Sequence, residues 1–216
     1  MRTHFVFTDD NPTAFIHPKR YVMQINTPQK YFLSVAALLT PLLCSTSHAE
    51  GYEKTLSLQD ISFTVTCPNN SSLNQLTIIP SGLTNFNSVM VQEIDGIVTG
   101  MEVGDINSDG SPEIYVYINS VGSGSYGSLV AYSANNKKSL SSIYLPPLDH
   151  DAKNSKGYMG HDQYSLVENT FSQRFPIYNQ GDTNAKPTGG MRQLSYKLVK
   201  GEAGWQLVLQ KVQDIQ

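Results

Sequence analysis

Glu113-Ile114-Tyr115-Val116-Tyr117-Ile118 and Leu129-Val130-Ala131-Tyr132 are two short runs rich in β-branched and aromatic residues. This composition is typical of β-strands. The loop between them reads Val121-Gly122-Ser123-Gly124-Ser125-Tyr126-Gly127, in which glycine and serine free the backbone to protrude. A large aromatic side chain at a loop tip exposes apolar surface unless it packs or binds. Tyr126 therefore marks this loop as a candidate binding element.

Strand patterns dominate the rest of the chain, and no stretch shows a sustained 3.6-residue apolar repeat. Gly, Pro and Asn turns separate short alternating runs, as in antiparallel sandwiches. The sequence predicts an all-β protein, an antiparallel β-sandwich of about eight strands in a single domain. The further strand segments are residues 55–58, 61–66, 76–79, 89–98, 142–145, 164–171, 193–199 and 205–212, and a turn at Asp95-Gly96 interrupts the segment 89–98.

The pattern of residues 23–49 indicates that the protein is exported, and we do not expect these residues to belong to the folded domain. Residues 31–44 are mostly apolar but too few to span a bilayer, which takes about 20 residues. Lys30 precedes this run and Ser47-His48-Ala49 follows it, as in a secretory signal peptide. We expect a signal peptide over residues 23–49, periplasmic localisation and a mature domain over residues 50–216. Residues 1–22 are interpreted as a mis-assigned start or a disordered extension.

Charge and cysteine content limit the partners of the expected mature chain. From Glu50 onward the sequence holds 11 Lys and Arg against 16 Asp and Glu, a net charge of −5. Without a basic block, nucleic acid and an anionic membrane are excluded as expected partners. Cys44 would leave with the signal peptide, so Cys67 would have no intrachain disulfide partner and is expected to be a small, half-buried hydrophobe. An intermolecular disulfide is the alternative.

Several short motifs of enzymes are present or nearly present in the sequence, but the residues around them exclude a catalytic interpretation. Gly122 to Gly127 spell G-x-G-x-x-G, but the dinucleotide fingerprint requires a helix next, and here a strand is predicted. The serines are not placed as in the nucleophile elbow G-x-S-x-G. His150 and His161 each neighbour an aspartate, but no nucleophile stands at a recognisable spacing. We therefore expect a protein that is not an enzyme.

A candidate calcium loop precedes the first strand run. Asp105, Asn107 and Asp109 stand at positions 1, 3 and 5, with Gly110 at 6 and Glu113 at 9. An EF-hand needs a Glu at position 12, which is Val116 here, so that motif is excluded. Two readings remain: a calcium site formed by Asp105, Asn107, Asp109 and Glu113, or a turn whose side chains bond their own backbone. No other cofactor is expected.

Several segments together resemble a known family. The Ser123-Gly124-Ser125-Tyr126 loop is similar to the S-G-x-Y loop of the bacterial periplasmic inhibitors of invertebrate-type (I-type) lysozyme. The resemblance runs from about Leu73 to Trp205. It includes Ile94-Asp95-Gly96, Asp109-Gly110-Ser111-Pro112-Glu113, Tyr144-Leu145-Pro146-Pro147, Gly157-Tyr158-Met159-Gly160-His161-Asp162, Gly181-Asp182-Thr183-Asn184 and Pro187-Thr188-Gly189-Gly190-Met191-Arg192.

This resemblance implies a secreted β-sandwich that blocks an I-type lysozyme of an animal host and thereby evades its defence. In that reading the loop Ser123, Gly124, Ser125 and Tyr126 enters the lysozyme cleft. Ser123 would hydrogen-bond one catalytic carboxyl and Tyr126 the other, while Gly124 would allow close backbone approach. The resemblance also implies a homodimer. The alternative reading is a calcium-stabilised glycan-binding or adhesion β-module, suggested by Asp105–Glu113 and the many aromatic residues.

Overall fold

The computed structural model describes residues 51–202 and 204–216, which form twelve strands and one short 3-10 helix at Leu148–His150. The expected extension (1–22) and signal peptide (23–49) lie outside the described residues. The strands are β1 Tyr52–Leu58, β2 Ile61–Cys67, β3 Leu73–Ser81, β4 Met90–Asp95, β5 Ile97–Gly104, β6 Glu113–Asn119, β7 Gly127–Asn135, β8 Ser139–Tyr144, β9 Gln163–Val167, β10 Thr170–Pro176, β11 Met191–Lys200 and β12 Trp205–Ile215.

The strands form two sheets. The smaller sheet has the order β1-β2-β3-β4, and the larger has the order β5-β6-β7-β8-β12-β11-β10-β9. Neighbouring strands are antiparallel except β8 and β12, which pair in parallel over Trp205↔Ile143 and Gln206↔Tyr144. This parallel pair joins β5–β8 to β9–β12 in one sheet.

Strand β6 is buried on both faces. Side chains alternate across a strand, so Ile114, Val116 and Ile118 point into one hydrophobic core and Tyr115 and Tyr117 into another. The first core lies between the four-stranded sheet and β5–β7. The second lies inside the larger sheet, where residues of β6 to β8 meet those of β10 to β12. The apolar run 113–118 therefore contributes side chains to both cores.

The larger sheet curls until its two end strands meet. Glu102 on β5 accepts hydrogen bonds from the Tyr117 hydroxyl (2.6 Å) and from the backbone N–H of Leu166 on β9 (2.5 Å). A side chain, rather than a backbone ladder, bridges the remaining gap. The architecture is a sandwich whose larger layer is nearly a closed barrel.

The predicted all-β, single-domain fold class is confirmed, but the described residues form twelve strands rather than about eight. The turn predicted at Asp95-Gly96 separates β4 from β5, whereas the run 164–171 contains a turn that was not predicted. Gly96 (φ 130°) turns the chain between β4 and β5, and Glu168 (φ 51°) lies in the turn between β9 and β10. In the described part, no helix is long and apolar enough to cross a membrane.

Candidate functional site

Three connections meet at one end of the larger sheet. They are the loop between β6 and β7 (residues 120–126), the segment between β8 and β9 (145–162), and the segment between β10 and β11 (177–190). Backbone bonds join them: His161 N–H donates to the Gly124 carbonyl (2.8 Å) and Tyr178 N–H to the Gly157 carbonyl (2.8 Å). The predicted binding loop is therefore packed against the other two long connections.

The binding loop, residues 120–126, also closes on itself. Ser120 N–H donates to the Tyr126 carbonyl (2.9 Å), and the Ser120 hydroxyl accepts from Tyr126 N–H (2.9 Å). Ser125 has a left-handed backbone (φ 44°), and its N–H donates to the Gly122 carbonyl (2.9 Å). Its hydroxyl accepts a hydrogen bond from Asn119 Nδ2 (3.0 Å). Of the three loop serines, Ser120 and Ser125 thus have hydroxyls that are hydrogen-bonded within the fold.

The neighbouring connections hold three successive carbonyls of the binding loop. Asn184 Nδ2 donates to the Ser123 carbonyl, and His161 N–H is shared between the carbonyls of Gly124 (2.8 Å) and Ser125 (3.1 Å). Asn184 Oδ1 lies 3.1 Å from His161 Nε2, so these two residues also support each other. His161 therefore acts as a brace for the binding loop.

The side chain of Asp162 anchors the end of the binding loop. Its carboxylate is 6% exposed and accepts hydrogen bonds from Gly127 N–H (2.7 Å), the Tyr158 hydroxyl (2.6 Å) and Gln173 Nε2 (2.7 Å). Burial raises the pKa of Asp162, and the hydrogen bonds from Tyr158, Gln173 and Gly127 oppose that rise. The Tyr196 hydroxyl donates to Gln173 Oε1 (3.2 Å), which extends the network into the second core.

Ser123 and Tyr126 are exposed members of the loop, as are Val121 and Gly122 before them. Tyr126 is 49% exposed, and its ring packs edge-on against Tyr158, with centroids 5.6 Å apart. A Cβ on Gly124 would lie 2.5 Å from Tyr126 Cε2, so glycine leaves the space that the ring occupies. Within the described residues, neither the Ser123 nor the Tyr126 hydroxyl has a hydrogen-bond partner in the protein. The loop thus presents two free hydroxyls on a braced backbone.

The sequence was compared with the models of known protein families, and one family matches. Residues 73–154 match the family of the periplasmic lysozyme inhibitor of I-type lysozyme. No curated protein and no solved structure gives a significant match to the chain. The family match confirms the predicted resemblance over this segment.

The match to the I-type lysozyme inhibitor family runs from β3 to the segment after β8. It includes the whole binding loop. It ends before His161, Asp162 and Asn184, the residues that hold the loop in place. Sequence reasoning placed these three in segments of the resemblance but did not assign them this role. The paired Gly160 and His161, which both have positive φ values (86° and 58°), mark the close approach to Gly124.

The predicted calcium ligands do lie together. Carboxylate oxygens of Asp105, Asp109 and Glu113 fall within 4.8 Å of one another. Each of these oxygens also accepts a hydrogen bond from the protein, for example Asp105 from Asp109 N–H and Glu113 from Ile106 N–H. Burial, reinforced by the charges of Asp105 and Asp109, raises the pKa of Glu113 to about 8. These acidic side chains are thus hydrogen-bonded both within the loop and, through Gln59 and Ser133, to other parts of the fold.

Two other sequence predictions concern single residues. Cys67 ends β2, is 2% exposed and packs in the first core. His150 is exposed, and its Nε2 lies 3.9 Å from Asp149 Oδ1. Neither residue contacts the binding loop, so the site is built from the Ser/Tyr loop and its braces.

Proposed function

We propose that this protein is a periplasmic inhibitor of an I-type lysozyme and that it inserts the Ser123–Tyr126 loop into the lysozyme cleft. The observation that carries the proposal is a braced loop with two free hydroxyls, inside the segment that matches the inhibitor family. In this proposal the protein is a binding partner rather than an enzyme. Its mature domain begins at Glu50, after a cleaved signal peptide, and it forms a homodimer.

The chemistry of the target fits two hydroxyl donors. A lysozyme works with two carboxyl groups beside the scissile bond, one protonated and one ionised. Ser123 and Tyr126 can each hydrogen-bond a carboxyl group without needing a matched charge. Because their hydroxyls have no partner within the described fold, binding breaks no internal bond.

The rigidity of the loop also favours tight binding. A loop that must be ordered on association weakens binding, whereas a loop held beforehand avoids that cost. The bonds from Asn184 and His161 to three consecutive carbonyls hold this loop before a partner arrives. The net charge of −5 from Glu50 onward would further favour encounter with a basic lysozyme at low salt.

The first test is a titration of the mature chain against I-type and chicken-type lysozymes. We expect stoichiometric inhibition of the I-type enzyme. Full activity of that enzyme at an excess of the protein would refute the proposal. The chicken-type enzyme reports how selective the inhibition is.

The second test separates the two hydroxyls from the remainder of the loop. Ser123→Ala and Tyr126→Phe each remove one hydroxyl, and each should weaken inhibition by about 5- to 150-fold, which corresponds to about 1–3 kcal/mol. The melting temperature should stay unchanged because neither hydroxyl bonds within the described fold. Ser57→Ala, on the outer face of β1, is the matched control. Unaltered inhibition by both loop variants would place the contact elsewhere.

A further inference from the structure

A pocket of about 580 Å³ opens beside the binding loop. Tyr126 and Tyr158 form one side of it, and the segment Tyr144–Asp149 forms the other. Its remaining lining residues are Gly127, Ser128, Leu129, Ile143, Tyr164 and Gln173. Because Tyr126 is a wall of this pocket, a partner that covers Tyr126 also covers the pocket mouth.

Most lining residues are aromatic or apolar, and the polar side chains of Ser128, Asp149 and Gln173 complete the lining. Tyr126 is 49% exposed and Tyr144 is 54% exposed, and Pro146 and Pro147 also line the pocket. None of the 14 lining residues is Lys or Arg. Such a pocket suits an occupant with a long aliphatic stem, and the faces of its tyrosines attract a cation.

The charge around the pocket is negative. The Asp149 side chain lines the pocket, is 80% exposed and forms no hydrogen bond within the described residues. Asp162 does not line the pocket, but its carboxylate accepts a hydrogen bond from the lining residue Tyr158 at 2.6 Å. One carboxyl group therefore lines the pocket, and a second is bonded to one of its lining residues.

We propose that this pocket receives a Lys or Arg side chain of the lysozyme that binds Ser123 and Tyr126, an inference that rests on the proposed function. The aliphatic stem would lie along Pro146 and Pro147. The cationic head would lie between the ring of Tyr144 and the carboxylate of Asp149. The contact is then reciprocal: the inhibitor places Tyr126 in the partner's cleft, and the partner places a basic side chain in this pocket.

The inhibition assay tests the charge of the contact. Asp149→Asn should weaken inhibition several-fold, and Asp149→Lys should weaken it by about tenfold or more. Added salt should then lower the affinity of these variants less than that of the native chain, because the attraction between Asp149 and the basic side chain has been removed. Glu168→Lys, an equal charge change in the turn between β9 and β10, is the matched control and should have little effect. Equal inhibition by Asp149→Lys and Glu168→Lys would overturn the proposal.

Tyr144→Ala tests the aromatic wall, and it should speed dissociation of the lysozyme with little change in melting temperature, since Tyr144 is exposed. An unchanged dissociation rate would contradict the proposed contact. If the native chain inhibits lysozyme while the Tyr144 and Asp149 variants inhibit equally well, this inference fails and the proposed function stands.

A direct probe separates the pocket from the inhibition. Butylguanidinium, which carries one guanidinium on an aliphatic stem, is titrated while the ring resonances of Tyr126 and Tyr144 are followed by NMR. We expect shifts in the native chain that are lost in Asp149→Lys and that uncharged butylurea does not produce. Equal shifts with butylurea, or none with butylguanidinium, would show that the pocket does not select a cation.

Discussion

Asp162 Oδ2 accepts a hydrogen bond from the backbone N–H of Gly127 at 2.7 Å, at the residue where the binding loop enters β7. The same carboxylate binds Tyr158, from its own connection, and Gln173, from β10. One buried side chain thus fixes the loop end relative to two other parts of the site. The stability of this end of the molecule should therefore depend on the protonation of Asp162.

Replacing Asp162 by Asn should remove part of the pH dependence of stability. The folded-state pKa of Asp162 is raised above its ordinary value of 3.8, so between these two pKa values the folded chain holds a proton that the unfolded chain has lost. Its contribution is fully present below pH 3.8 and is lost as the pH rises through the folded-state pKa. Urea unfolding of the native and Asp162→Asn chains between pH 3 and 8 measures the difference.

The asparagine can be accommodated in the network. Its Oδ1 can accept from Gly127 and Tyr158, and Gln173 can turn its amide so that Oε1 faces the new Nδ2. The Tyr196 hydroxyl can then accept instead of donating. Parallel pH profiles of the native and variant chains would show that Asp162 does not titrate in this way.

The brace formed by Asn184 should matter more for binding than for stability. Asn184→Ala removes the donor to the Ser123 carbonyl and the contact with His161, on a partly exposed surface. We expect about 0.5–1.5 kcal/mol lower stability and a slower association with lysozyme, because the loop must then be ordered on binding. Surface plasmon resonance measures the two rates.

His161→Asn provides a comparison for Asn184→Ala. Asparagine tolerates the left-handed backbone at this position (φ 58°) and keeps the N–H that binds Gly124 and Ser125. Its effect on the association rate should be smaller than that of Asn184→Ala. The reverse order would mean that the His161 ring, and not the held carbonyls, is what the lysozyme requires.

Gly124→Ala should reduce inhibition without unfolding the protein. The added methyl would lie 2.5 Å from Cε2 and 2.9 Å from Cδ2 of Tyr126, so the exposed ring must swing away. Inhibition should fall by about tenfold or more, as for a lost contact of about 1.4 kcal/mol, while the melting temperature changes little. Gly122→Ala is the control, since its methyl would meet no atom within 4 Å. Similar inhibition by both variants would mean that the position of the Tyr126 ring is unimportant.

Two buried tyrosines of β6, Tyr115 and Tyr117, should differ in how the loss of the hydroxyl changes the free energy of unfolding. The Tyr115 hydroxyl is buried without a hydrogen-bond partner, whereas the Tyr117 hydroxyl donates to Glu102 at 2.6 Å. Tyr115→Phe should therefore be neutral or stabilising, and Tyr117→Phe should destabilise the fold by about 1–3 kcal/mol. Thermal melts of both variants decide this, and a destabilised Tyr115→Phe would reveal a partner for its hydroxyl, such as an ordered water.

Calcium should have little effect on stability. The carboxylate oxygens of Asp105, Asp109 and Glu113 already accept hydrogen bonds from the protein, so an ion would have to compete with these donors. Melting curves in calcium and in chelator should coincide within a few degrees. A large upward shift with calcium, together with a lack of lysozyme binding, would favour the alternative of a calcium-stabilised glycan-binding module.

Local patterns in the sequence predicted most strands, because alternation and turn residues act within a few positions. They did not reveal that β6 lies between two cores, since a run such as Ile114-Tyr115-Val116 indicates burial but not the number of layers. The parallel pairing of β8 with β12 joins residues about 60 positions apart, and no local pattern specifies it. Residues 164–171 were predicted as one strand, although they contain parts of β9 and β10. The turn at Glu168 between these strands was not predicted because glutamate rarely adopts a positive φ.

The binding loop could be recognised from sequence because its composition is unusual, with three glycines within residues 122–127 beside an exposed tyrosine. Its braces could not, because a histidine, an aspartate and an asparagine in polar loops are unremarkable until the chain brings them together. Asn184 lies 61 positions from the Ser123 carbonyl that it binds. Only the three-dimensional structure shows that the conformation of the loop depends on distant connections.

The held carbonyls of the binding loop have a consequence for the survival of the protein among digestive enzymes. Proteases bind their substrates as extended chain, so an exposed loop is cut only as fast as it opens. Residues 123–125 cannot extend without breaking their bonds to Asn184 and His161. The contacts that hold this loop in place should therefore also make it a poor substrate for proteases.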